Sequence, residues 1–317
     1  MKKITILPLI TVLMIILSAC SNGSDSAGSD DKIKIYTTVF PLTSFAEQIG
    51  GDTVEVESIY PNGVDVHTYE PTQKDMIEYA DGDLFIFTSE SLDSVSESIK
   101  SSIEEDTNFL AAADNISEEE FLEHSHDHDD HEHDEGHEDE HGHHHESGDP
   151  HVWLDPVFSK SMAESIKDEL IKLNPDEEAL YTENFNTLSS DLDDIDQSLT
   201  DITDNAVRDS VYISHESIGY LADRYHFNQV GMSGINNEEP SQNQLTEMID
   251  EIEENDVSYI LYEQNIPSRI AESIQKETGT EMLPFHNLSV LTDEDDQNAT
   301  YQSIMNENID TLEQALN

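Results

Sequence analysis

Three histidines stand apart in this chain. His67, His151 and His215 each sit in a short motif of turn-forming, acidic and apolar residues. A second group is of a different kind: His124, His126, His128, His131, His133, His137, His141, His143, His144 and His145 are interleaved with eleven Asp and Glu residues between Glu123 and Glu146. A neutral imidazole nitrogen is a borderline ligand that suits zinc well. A fixed trio beside a flexible reservoir therefore points to chemistry built around that ion, and the elements that position the trio decide whether the metal is stored, used or carried.

Those elements are legible as alternation. Ile33–Val39, Thr53–Ile59, Leu84–Phe87 and Phe109–Ala111 read as strands, and Leu42–Ile49, Thr72–Tyr79 and Leu92–Ile103 read as helices between them. The pattern resumes with strands at Val211–Ile213, Asn228–Val230, Val257–Tyr262 and Met282–Phe285, and helices at Ile218–Tyr225, Gln242–Glu254, Arg269–Thr278 and Tyr301–Leu316. Strands alternating with helices predict parallel sheets covered by helices, so the fold class is α/β. Ser241 with Gln244 forms a capping box ahead of its helix.

Between the two runs, Phe158–Leu173 reads as a helix, and Asn174-Pro175 supplies an N-cap and a first-turn proline for another. In this second helix Tyr181, Phe185, Leu188, Leu192, Ile195, Leu199 and Ile202 repeat at alternating spacings of four and three. One apolar stripe thus continues for about 29 residues, roughly 43 Å of helix. A coiled-coil dimer is one reading of such a stripe. Two α/β lobes, each with its own core, held apart by one long helix is the reading that also explains the flanking alternation.

The first residues concern location. Lys2 and Lys3, the apolar run Ile4–Ile16 and Leu17-Ser18-Ala19-Cys20 have the order of an export signal, too short for a comfortable membrane span. Cys20 is the sole cysteine, so it forms no internal disulfide, and its place after Leu-Ser-Ala resembles a bacterial lipobox, which implies cleavage before Cys20 and a lipid on its sulfur. Residues 21–31, rich in Ser, Gly and Asp, read as a tether. Against 71 acidic residues stand 13 Lys and Arg, a formal charge of -58. Such a surface repels nucleic acid and anionic headgroups and attracts cations. Adaptation to high salt accounts for most of these carboxylates, so charge alone does not identify zinc.

The glycine and prolines of Pro61–Pro71 mark a loop beyond the Thr53–Ile59 strand, which puts His67 outside the carboxyl end of a parallel sheet, where ligands bind in open α/β folds. His151 lies between Pro150 and Pro156, and His215 directly follows the Val211–Ile213 strand. All three are expected in strand-end loops. His226, in Tyr225-His226-Phe227, reads as structural.

The phrases Asp65-Val66-His67-Thr68-Tyr69-Glu70-Pro71, Asp149-Pro150-His151-Val152-Trp153-Leu154-Asp155-Pro156, Ser214-His215-Glu216 with Gly219-Tyr220-Leu221, and Glu239-Pro240-Ser241 resemble the metal-specific cluster of ABC-importer solute-binding proteins. The resemblance covers nearly all of the chain beyond the signal. It implies two lobes bridged by a rigid helix, the metal in the cleft between them, and a membrane permease and cytoplasmic ATPase as partners. It further implies a lipid-anchored monomer on the extracellular face of the bacterial cytoplasmic membrane. The corresponding organisation is a signal at 1–19, a tether at 20–31, an N-terminal lobe at 32–174 with a disordered loop at 123–146, a linking helix at 175–205 and a C-terminal lobe at 206–317. Manganese receptors of this cluster carry glutamate where this chain has His215. Three neutral nitrogens suit zinc and carboxylate oxygens suit manganese, so the resemblance is to the zinc branch. The tract at His124–His145 resembles the histidine-rich acidic loop of that branch; lacking apolar residues, it is expected to be disordered without metal and to offer weak, interchangeable sites.

One departure concerns the fourth ligand. Many relatives supply a carboxylate from the loop after the last strand, where this chain places Ser289. A serine hydroxyl is a poor zinc ligand, so water is expected there, ahead of an imidazole lent by the tract or His286, the best protein candidate. Other function classes fit less of the chain. A zinc hydrolase would use Glu216 or Glu70 as general base, but the chain lacks a His-Glu-x-x-His helix. A surface adhesin would show repeats or a wall anchor, and none is visible. A manganese or mixed-metal receptor remains the nearest alternative within the same resemblance.

Overall fold

In a computed structural model that describes residues 32–103, 107–122, 148–266 and 269–317, two four-stranded parallel sheets share one topology. Ile33–Thr37 (β1), Val54–Ser58 (β2), Leu84–Phe87 (β3) and Asn108–Ala111 (β4) lie in the order β2-β1-β3-β4. Ser210–Ile213 (β5), Asn228–Gly231 (β6), Tyr259–Glu263 (β7) and Glu281–Phe285 (β8) repeat it as β6-β5-β7-β8. Central strands of such sheets are covered on both faces and read as unbroken apolar runs. Leu84-Phe85-Ile86-Phe87 is such a run, and all four side chains are buried.

Nine α-helices of the described residues flank these sheets: Phe40–Gly50 (α1), Gln73–Tyr79 (α2), Ser94–Ser102 (α3), Pro156–Leu173 (α4), Glu178–Asp204 (α5), Gly219–Tyr225 (α6), Gln242–Glu254 (α7), Arg269–Thr278 (α8) and Tyr301–Leu316 (α9). Their starts are chemically marked. Thr72 with Asp75 and Ser241 with Gln244 form capping boxes, and the Asp155 carboxylate accepts from the N–H groups of Val157 and Phe158 to open α4. None of the described helices is long and apolar enough to cross a membrane.

The long helix differs from the sequence expectation at its start. Pro175–Glu177 forms a separate 3-10 turn, Asn174 makes no side-chain cap, and the α-helix proper runs 27 residues from Glu178. Asn174 has φ -137° and ψ 78°, and its carbonyl accepts the Glu177 N–H at 3.2 Å, so the proline-led turn closes on the tighter bond. The stripe itself is as expected: Tyr181, Phe185, Leu188, Leu192, Ile195 and Leu199 are all buried. Helices α1, α4 and α9 of the same chain pack against α5, so its stripe has no need of a second copy.

The two sheets do not keep separate cores. One apolar cluster runs from Ile35, Leu84 and Phe85 through the α5 stripe to Val211, Ile213, Leu261 and Phe285. Only the far face of the second sheet has a cluster of its own, made of Tyr212, Met232, Ile252, Ile260, Ala271 and Ile274. The C-terminal helix explains the continuity. It packs against α5 and β8 but also against α1, with the Tyr301 N–H donating to Ser44 Oγ at 3.0 Å and the Tyr301 hydroxyl to the Trp153 carbonyl at 3.0 Å. Further back-bonds tie the halves: Phe40 N–H donates to the Ser289 carbonyl at 3.0 Å, and Trp153 Nε1 to the Asn287 carbonyl at 2.8 Å.

Candidate metal centre

The three isolated histidines converge. His67 arrives on the loop beyond β2, and His215 follows β5 directly, at the carboxyl end of a central strand with β6 on one side and β7 on the other. His151 is not in a strand-end loop. It precedes a 3-10 turn at Val152–Leu154 that leads into α4, and the nearest preceding strand among the described residues, β4, ends at Ala111. The ring centroids are 5.4 Å apart for His67 and His151, 5.3 Å for His67 and His215, and 5.0 Å for His151 and His215. One nitrogen from each lies within 4.8 Å of the others, a spacing one ion can bridge.

Carboxylates set which nitrogen each ring offers. His151 Nδ1 donates to Asp149 Oδ1 at 2.8 Å, and the His151 N–H reaches the same oxygen at 2.9 Å. His215 Nδ1 donates to Glu263 Oε2 at 2.9 Å. A carboxylate on Nδ1 fixes the tautomer and makes Nε2 the basic ligand atom. His67 Nε2 is buried and has no hydrogen-bond partner among the described residues, an orphaned lone pair of the kind a metal would satisfy. Two buried carboxylates beside three neutral rings also balance the charge of a divalent cation.

The electrostatics separate the rings. Burial, reinforced by His151 and His215, pulls the His67 pKa down to about 4, so this ring is neutral and ready to ligate at neutral pH. Burial also works against the charged form of His215, but the Glu263 carboxylate and the Ile235 carbonyl outweigh it and hold the pKa above its ordinary value. His215 Nε2 donates to that carbonyl at 2.7 Å, so both its nitrogens face oxygen acceptors. Burial pushes the fully buried Glu263 carboxyl up, yet His215 and the Ser217 hydroxyl pull it below the usual carboxylate range. Glu263 further accepts from Asn287 Nδ2 at 3.0 Å.

Glu263 was missed in the sequence, although its signal resembles that of His215. Each is a polar residue at the end of an apolar strand run, Tyr259-Ile260-Leu261-Tyr262 for one and Val211-Tyr212-Ile213 for the other. Asp149 sits within a quoted motif, but its role required the fold. A Cβ at residue 219 would lie 2.7 Å from Asp149 Oδ2, so glycine there lets α6 approach the carboxylate, and the Tyr220 hydroxyl then donates to the Asp149 carbonyl at 2.9 Å.

His286 is not brought to the trio. Its Nε2 donates to Asp295 Oδ2 at 3.2 Å and its Nδ1 accepts the Leu288 N–H at 2.9 Å, which commits both nitrogens. Ser289 is also engaged, its hydroxyl donating to Asn287 Oδ1 at 2.8 Å and accepting from Asn265 Nδ2 at 3.0 Å. His226 takes φ 60° at the end of α6 and caps that helix. Glu70 is exposed, whereas burial pushes the Glu216 carboxyl up. The tract from His124 to His145 and the expected lipid site Cys20 lie outside the described residues.

Comparison with known proteins bears on this arrangement. Residues 35–315 match the family described as ZnuA, zinc-uptake complex component A, periplasmic. The chain belongs to that family. It is 32% identical over 321 residues to the high-affinity zinc uptake system protein ZnuA of Bacillus subtilis, an alignment covering 99% of this chain and 98% of the relative. It is 31% identical over 322 residues to the zinc-binding lipoprotein AdcA of Streptococcus pneumoniae strain R6, covering 99% of this chain but 61% of that protein. The chain thus spans less than two thirds of AdcA. Among solved structures, the Zn(II)-bound ZnuA-like domain of Streptococcus pneumoniae AdcA superposes with a TM-score of 0.72 at 26% identity, covering 90% of this chain and 99% of that domain. A component of an uptake complex is a receptor class rather than an enzyme class.

Within this ZnuA-family frame, Glu263→Gln is a sensitive probe of the site. The amide keeps the shape and one acceptor but removes the charge that makes His215 a better ligand. Zinc affinity is expected to fall by about 10- to 100-fold with the circular-dichroism spectrum unchanged. An unchanged affinity would show that Glu263 only fills space.

Proposed function

We propose that this chain captures Zn(II) at His67, His151 and His215 and delivers it to a membrane permease driven by a cytoplasmic ATPase. The observation that carries the reading is the convergence of three histidines, from three separated segments and both sheets, within 4.8 Å of one another. Family membership supports the cargo, since the matched description is that of a zinc-uptake component. A lipid on Cys20 would hold the receptor at the extracellular face of the membrane as a monomer, and the lipoprotein name of the AdcA relative supports that placement. The tract at His124–His145 serves as an auxiliary collector that raises local zinc concentration.

Calorimetric titration of soluble, metal-free protein beginning after Cys20 tests the reading. One tight zinc site and a much weaker response to manganese are expected, because imidazole nitrogen favours the softer ion. Equal affinities would remove the zinc assignment. The same titration across pH adds a second expected result. His67 stays neutral down to about 4 and so brings no competing proton at neutral pH, whereas His215, whose pKa lies above its ordinary value, brings one that zinc must displace. Zinc affinity should therefore fall as pH drops through and below neutrality, by about tenfold per unit where one proton is displaced. A flat profile from pH 8 to about 5 would argue against a histidine site.

A further inference from the structure

We infer that the backbone carbonyl of Ile235 supplies the fourth ligand of the captured ion. The inference rests on the trio being the capture site and adds the atom that completes its coordination. Because Nδ1 of His215 is held by Glu263, the metal must use Nε2, and the oxygen already in contact with that nitrogen is the Ile235 carbonyl, at 2.7 Å. In the metal-free chain a hydrogen lies between the two atoms. Once an ion takes the Nε2 lone pair that hydrogen is gone, and two lone pairs face each other unless the ion sits between them.

The distances decide between coordination and ejection. Zn–N and Zn–O bonds of about 2.0–2.2 Å place two ligands of a tetrahedron about 3.4 Å apart. Coordination by both atoms therefore requires the N···O separation to widen by ~0.7 Å and the carbonyl to shift sideways, off the Nε2 lone-pair direction that the ion takes. Complete ejection requires far more, and the loop that carries Ile235 is braced against it. Gly234 N–H donates to the Glu238 carbonyl at 3.1 Å, Asn237 N–H to the Gly234 carbonyl at 2.8 Å, and Asn236 N–H to Glu238 Oε2 at 3.0 Å. From the same loop, Asn237 Nδ2 reaches across to Asp65 Oδ2 at 3.3 Å, two residues from His67.

Apart from Asn237 Oδ1, which is buried in the same loop without a hydrogen-bond partner among the described residues, the other oxygens near the trio are already committed. Asp149 and Glu263 sit on the Nδ1 sides of their rings, and Ser289 is bonded to Asn287 and Asn265. Charge points the same way. A neutral carbonyl leaves the balance between a divalent ion and the Asp149 and Glu263 carboxylates undisturbed, whereas a third carboxylate would leave the buried site with net negative charge.

The test is a crystal structure of the chain co-crystallised with one equivalent of zinc. The expected result is an ion on Nε2 of His67, His151 and His215 with Ile235 O at about 2.0–2.2 Å. An ion on the three histidines with water in the fourth position and Ile235 O turned away would overturn this inference and leave the receptor reading standing. An ion bound anywhere else would overturn both.

Discussion

His215→Ala should abolish the tight zinc site, whereas deletion of residues 123–146 should preserve it. Structural zinc sites bind with about 10–16 kcal/mol over four ligands, so loss of one ligand removes roughly 3–4 kcal/mol, or two to three decades of affinity. The loss at His215 should reach the upper end, because the side chain is the trio's one member from the second sheet and carries the support of Glu263. Alanine also strands the buried Glu263 carboxylate, so His215→Gln is the companion variant: its amide can still donate to Glu263 but ligates zinc poorly. Both variants should show the loss by calorimetry, and both should fail to support growth under zinc limitation. The deletion leaves the scaffold closed, since the Asp149 N–H already donates to the Leu122 carbonyl at 2.9 Å. It should remove weaker binding stoichiometry and impair growth only mildly. Tight binding lost in the deletion and kept in both His215 variants would make the acidic tract the receptor and the histidine trio a bystander.

The largest expected effect on stability lies at a different contact. Arg224 of α6 donates through Nε to Asp155, the residue that caps α4, and its guanidinium lies 4.9 Å from the Phe158 ring. Burial pushes the Asp155 carboxyl above its ordinary range even with Arg224 beside it, which shows how heavily this charge is desolvated. Arg224→Met keeps the apolar stem but leaves the carboxylate without its cation. Breaking a buried pair in this way costs about 3 kcal/mol, at the low end of the usual range because Arg224 is partly exposed. For a chain of this size that corresponds to a fall in thermal midpoint of about 5 °C. A change of a degree or less in the circular-dichroism melt would mean that the carboxylate is satisfied by its backbone donors, Val157 and Phe158, alone.

The same contacts show what the sequence carried and what it did not. Strand and helix positions were readable because apolar runs such as Leu84–Phe87 and the capping boxes at Thr72 and Ser241 are local signals. The three histidines were readable because each interrupts a motif of turn residues, and the loop positions of His67 and His215 followed from the geometry of parallel sheets. The helical run opens at Asn174-Pro175 as read, but its first turn is 3-10, since a Pro-led sequence is compatible with either an α-turn or the tighter turn it adopts. Separate cores were expected because the two strand runs look self-contained. Their merger depends on α9 returning from β8 to α1, a long-range placement with no local mark. Glu263 had a local mark, its place at the end of an apolar strand run, but as a single acid among 71 its partner was not readable; the Ile235 carbonyl, a backbone atom, had no mark at all, and only the fold puts the two on His215.

Zinc K-edge X-ray absorption of the protein lacking residues 123–146, loaded with one equivalent of zinc, tests the central claim most directly. Only five histidines remain in that protein: His67, His151, His215, His226 and His286. His226 caps a helix and His286 is bonded at both nitrogens. Three imidazole scatterers and one oxygen at about 2.0–2.1 Å are expected, falling to two imidazoles in the same protein carrying His215→Gln. A shell of oxygens with one imidazole or none, or a spectrum that His215→Gln leaves unchanged, would contradict the claim.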